Sequence, residues 1–187
     1  MPVNKEQSKS IISQLIKEGK ITKPIPGTKD FFLAKSHESL QLSKRIFAIA
    51  QDENETLKSY MWVIAIAYYS MFFAATALLA HFGRKIDSEI GIHKLTYHAL
   101  VYYFLVADNK LQKHFIEEYK DVYDNVEVLL QTSEQKALDI MENFKLEQGK
   151  RTRFTYEMGQ IAEKQKAQTS LERAEEFVLE IRKLMQK

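Results

Sequence analysis

The sequence predicts an all-α fold, an antiparallel bundle of five to six helices. Three observations predict it. Apolar residues recur at spacings of three and four along most of the chain, and no stretch alternates convincingly with period two. Only 6 Gly and 3 Pro in 187 residues leave few turn formers for an all-β chain. The longest uncharged run, the 25 residues from Ser59 to Gly83, has the length of a helix and not of a strand.

The elements follow in order. Ile11, Ile12, Leu15 and Ile16 make a short apolar face that stops at Gly19, a residue suited to close a helix. Pro24, Pro26 and Gly27 then break the chain. Residues 1–27 are read as a helical appendage with a Pro-rich linker, and residues 28–187 as the main bundle. The next helix runs from about Asp30 to Gln51, with Phe32, Leu33, Leu40, Phe47 and Ala50 on its face. Asp52-Glu53-Asn54-Glu55 is a polar joint whose acids suit the start of a following helix.

That following helix is the uncharged run. It is long enough to cross a bilayer, so a single-span membrane protein is one alternative. Two features favour a helix buried on all sides in a soluble bundle. Tyr68, Tyr69 and Ser70 put polar tips at its middle. Ala67, Ser70, Ala74 and Ala77 form a small-residue stripe spaced for close approach of another helix.

Gly83 ends the run, and residues 83–91 read as a loop. Residues 92–107 read as a further apolar helix. Asp108-Asn109 open the next, which carries Leu111, Phe115, Tyr119, Val122, Val126 and Leu129. Thr132 to Gln135 reads as a capping box opening another helix, which Gly149 weakens or ends. Thr169-Ser170-Leu171-Glu172 reads as a cleaner capping box. It opens a last helix with Leu171, Ala174, Val178, Ile181 and Leu184 on one face.

Composition excludes several chemistries. Cysteine is absent, so disulfides, thiolate catalysis, zinc fingers and iron–sulfur clusters are out. There is no GxSxG elbow, no GxxxxGK[ST] loop and no GxGxxG. Lys and Arg number 27 against 25 Asp and Glu, and a net charge of +2 does not mark a nucleic-acid binder. The N-terminus has no signal-peptide pattern, so a cytoplasmic protein is expected.

The five histidines do not build a metal site. His93 and His98 fall on different faces of a helix, and no HExxH is present. His114 shares a face with a carboxylate from Glu117 or Glu118, which is too few ligands. Neither a metal nor a cofactor is expected. Two clusters can carry binding. Lys150, Arg151 and Arg153, followed by Phe154 and Tyr156, offer cations for a phosphate and rings for stacking a base. His93 and Lys94, after Gly91, can face an anion at a helix start. The plainer readings are a solvated basic turn anchored by its Tyr, and an N-terminal polar turn.

Three blocks in this order resemble the HEPN superfamily of small helical domains. AIAYYSMFFAATALLAHFG (65–83) looks like its long central helix, and HKLTYHALVYYF (93–104) like the His-led helix after it. KRTRFTYEMGQI (150–161) with TSLERAEEFVLEIRKL (169–184) resembles the basic-Tyr segment and final helix of a prokaryotic branch. The resemblance covers roughly residues 30–187. It implies a bundle that dimerises through its central helices and works around RNA, nucleotides or defence. It also implies a nucleotidyltransferase-type protein as partner in a toxin–antitoxin pair.

Active members of that family cut RNA without metal, through an Arg followed closely by a His. This chain departs there. His114 is the last histidine, so Arg151 and Arg153 have none after them, and eight residues separate Arg84 from His93. The nuclease constellation is not transferred. The expectation is a cytoplasmic, homodimeric binding module, with Lys150, Arg151, Arg153, Tyr156, His93 and Lys94 as contacts to RNA or nucleotide. The rival is a metal-independent endoribonuclease using Arg151 or Arg153 with Tyr156 or His93 as acid–base.

Overall fold

The computed structural model describes residues 3–55, 58–88, 91–107, 110–143 and 153–186, with the side chains of 129–143 and 153–162 outside the description. The chain forms α1 (Lys5–Lys17), β1 (Ile21–Thr22), α2 (Thr28–Gln51), α3 (Tyr60–His81), β2 (Lys85–Ile86) and α4 (Ile92–Leu100). A π-helical segment (Val101–Ala107), α5 (Lys113–Asn143) and α6 (Arg153–Met185) complete it. The fold is an all-α helical bundle.

α3 lacks charge because it is buried on nearly every side. α2 and α6 are its main neighbours, with α5 and α4 completing the surround. Ala67, Ser70, Ala74 and Ala77 are fully buried, so the small-residue stripe lets neighbouring backbones approach closely. Its apolar stretch is 78% buried inside the chain itself, as a core helix requires. Two hydrogen bonds fix α2 against it: Ser43 Oγ donates to the Val63 carbonyl at 2.9 Å, and the Tyr60 hydroxyl donates to the Ala50 carbonyl at 2.8 Å.

α1 and α3 end in the same way. Gly19 and Gly83 follow their helices with φ of +68° and +73°. The next amides, Lys20 N–H and Arg84 N–H, reach back to the Leu15 and Leu79 carbonyls at 2.9 Å each. These are Schellman closures, which glycine adopts without strain. Both exits run into short strands. β1 and β2 pair antiparallel, Ile21 opposite Ile86 and Thr22 opposite Lys85. The segment 83–91, expected to be only a loop, therefore contains half of a two-stranded ribbon.

α1 lies on the bundle. Ile12 and Leu15 join the core, against α4 and the π segment. Four boundaries differ from the sequence reading, and one is the start of α5 at Lys113, which leaves Leu111 ahead of the helix. The helix expected over 92–107 stops being α-helical at Leu100 and widens into the π segment. The π turn keeps Val101, Tyr103, Phe104 and Leu105 buried, and its apolar spacing is too close to an α-helix's to announce the change. Thr132 to Gln135 does not open a helix but lies within α5. Thr169 to Glu172 likewise lies inside α6, whose buried face already includes Ala167. A capping box starts a helix only where the chain before it is not already helical.

Candidate functional site

α4 begins after Gly91, which sits at φ +69° and supplies no side-chain cap. His93 and Lys94 are therefore its second and third residues. Consecutive helical positions diverge by about 100°, and the two side chains separate accordingly. His93 turns onto α3, whereas Lys94 is exposed to solvent. The His93–Lys94 pair thus does not present a joint face to an anion.

His93 is held in an aromatic box. Its Nδ1 lies 2.9 Å from the Tyr68 hydroxyl. Its ring centroid is 4.3 Å from Phe72, 5.5 Å from Tyr68 and 5.7 Å from Tyr69. Burial holds its pKa below the ordinary histidine value, with the Glu127 carboxylate acting in the opposite direction. Burial also pushes the Tyr68 hydroxyl far up, so it stays protonated. The Tyr68 hydroxyl and His93 Nδ1 share one hydrogen bond whose direction follows the His93 tautomer. Burial keeps His93 a neutral imidazole at neutral pH.

α5 supplies the other wall. Tyr119 and Tyr123 pack on Tyr68 with centroids at 5.8 and 5.5 Å. The Tyr123 hydroxyl donates to the Glu127 carboxylate. Tyr119 is fully buried, with its hydroxyl beside that of Tyr68. Tyr119, Tyr123 and Glu127 are four apart in turn, so they form one line along α5. That spacing was readable in the sequence. What it does not reveal is the partner, Tyr68, which the sequence offers only as a polar tip at the middle of the uncharged run.

Beside this cluster a groove of about 820 Å³ lies between the start of α1, α4 and α5. Its charged residues are Lys5, Lys94 and Lys120 against Glu6, Asp124 and Glu127. Lys120 pairs with Asp124, whereas Lys5 and Lys94 make no ion pair with the described residues. His98 also lines the groove. Its Nδ1 meets Ser8 Oγ at 2.9 Å, and burial, then Lys94 and Lys120, push its pKa down to about 4.

The other expected contacts are not assembled here. Lys150 and Arg151 lie outside the described residues. Arg153 and Tyr156 fall in the first turns of α6, with their side chains outside the described residues. His114 packs on Phe115 at 3.9 Å, Glu117 pairs with Lys113 at 2.7 Å, and Glu118 lies near His114. Among the described residues no cluster of three or more metal-ligating side chains occurs. Comparison of the chain with family models, with curated proteins and with solved structures finds no match.

Proposed function

We propose that this chain is a HEPN-like, dimeric, cytoplasmic binding module for RNA or a nucleotide, with a nucleotidyltransferase-type protein as its partner. The observation that carries the reading is a stripe on α3. Trp62, Ile66, Tyr69 and Phe73 follow one another at spacings of four, three and four. Trp62 and Tyr69 are 53% and 42% exposed on a helix that is mostly core. Apolar side chains at that average spacing make the seam of a helix pair. A second copy related by a two-fold axis would cover it.

The groove beside His93 supports the ligand half of the reading. Lys5 and Lys94 offer unpaired cations, and the half-buried Tyr123 offers a ring. Three cations against three carboxylates do not make a track for a long phosphate backbone. A nucleotide or a short single-stranded segment fits that balance better.

Sedimentation tests the dimer. The wild-type chain is expected to run as a dimer, and a Trp62→Glu/Tyr69→Glu variant as a folded monomer. A monomeric wild type at tens of micromolar would overturn it. Fluorescence anisotropy with labelled RNA and with ribonucleotides, in EDTA, tests the ligand, and Lys94→Glu should weaken binding. The neutral His93 supports one second reading, a metal-independent ribonuclease with His93 as base. Cleavage in EDTA that disappears in His93→Ala, or in Arg151→Ala/Arg153→Ala, would put that reading first.

A further inference from the structure

A second cavity of about 680 Å³, which shares no lining residue with the groove, lies between α2, α3, β2 and the start of α4. Its size is that of a small-molecule pocket. The wall is apolar, formed by Phe32, Phe72, Leu79, Ile86 and Ile92. Two large apolar side chains at its rim, Ile25 and Phe31, are 75% and 56% exposed. Water is a poor neighbour for both, and an apolar occupant of the cavity would cover them.

The cavity also carries one unbalanced charge. Its charged lining residues are Arg84, Lys85 and Asp87. Lys85 pairs with Asp87 at 3.4 Å, which leaves Arg84. Arg84 makes no ion pair with the described residues, and its Nη1 is buried without a hydrogen-bond partner. A buried guanidinium N–H without an acceptor is costly and uncommon in folded chains. The guanidinium is not loose. It lies over the Tyr103 ring at 3.9 Å, and its backbone is fixed by the Gly83 closure. Arg84 lines the cavity, and a planar donor fork fixed at its edge is suited to a carboxylate.

We propose that this cavity binds a small amphiphilic carboxylate, with its anionic head on Arg84 and its apolar body along Phe32, Phe72 and Leu79. A single net positive charge in the lining matches a monoanion. A phosphate monoester, at close to two negative charges, would be left half compensated. The site stands apart from the groove beside His93 and does not depend on the function proposed for that groove.

Calorimetry on the full chain tests it with octanoate, octan-1-ol and octylammonium, which share a tail and differ in head charge. Octanoate is expected to bind one to one, at least about tenfold more tightly than either of the others. Arg84→Met should bring octanoate down to the affinity of the alcohol and leave the alcohol unchanged. No saturable octanoate binding up to about 1 mM would overturn the proposal. So would equal affinity for the three heads, or full octanoate affinity in a folded Arg84→Met chain. The comparison of three heads on the wild-type chain decides the matter even if that variant fails to fold.

Discussion

Nδ1 of His98 lies 2.9 Å from Ser8 Oγ, joining residues 90 positions apart. Ser8 Oγ also donates to the Asn4 carbonyl at 3.0 Å. A hydroxyl has one proton to give, so at His98 it accepts. This network assigns the His98 proton to Nδ1. Nε2 is then left as a buried lone pair without a partner. The neutral ring fits its surroundings, because burial and the lysines Lys94 and Lys120 all oppose a positive charge there.

Acid should therefore unfold this chain partly through His98. Its pKa is near 6.5 when unfolded and about 4 when folded. Above pH 7 both states are neutral and the group has no effect. As pH falls from 6.5 towards 4, the unfolded chain takes up a proton that the folded chain refuses, so stability falls. The loss is about 3 kcal/mol by pH 4. Urea midpoints from pH 7.5 to pH 4 check this against His98→Asn, which should lose less stability over the same range. Equal losses in both chains would exclude His98 as a contributor.

Ser8→Ala removes the acceptor and leaves the His98 Nδ1–H buried and unpaired. A cost of about 1–3 kcal/mol follows. The damage should concentrate on α1, which Ser8 ties to α4. Hydrogen exchange at the amides near Ile12 should speed up more than at α3. Uniform acceleration across the chain would mean that α1 is not held by this bond.

Tyr68→Phe tests the other histidine. A Tyr68 O–H that donates to the His93 lone pair favours the neutral ring, whereas one that accepts from Nδ1–H does not. Removing a donor should raise the His93 pKa towards the ordinary value, as read by NMR of the imidazole protons. A cost of about 1 kcal/mol in stability should accompany it. An unchanged titration would leave burial alone as the cause of the shift.

The central helix was legible in the sequence because a long uncharged run with a small-residue stripe has few other uses. Gly19 and Gly83 were legible for a related reason, since each ends a periodic run. Inside a continuous helix, polar residues carry the same letters as a cap. Thr169 and Glu172 therefore looked like a start although Ala167, two residues before Thr169, was already buried within the helix. The two histidines of α4 were correctly separated by their spacing of five. What spacing along one helix does not contain is the partner on another: Tyr68 for His93, Ser8 for His98. The pairing of β1 with β2 is hidden for the same reason, being two residues long and joined only through the directions set by two helix ends.

The Gly83 closure separates backbone strain from crowding. A Cβ built at Gly83 would meet nothing within 4 Å, so space does not forbid a side chain there. The φ of +73° does. Alanine in that conformation costs about 1–2 kcal/mol, while asparagine tolerates the left-handed region better. Thermal melts should rank the chains Gly83, then Gly83→Asn, then Gly83→Ala. Crowding would rank them by size and place the larger asparagine last. If asparagine is the least stable of the three, the closure is limited by contacts and not by φ. If the predicted order holds, the turn that sets Arg84 over Tyr103 is fixed by backbone conformation alone.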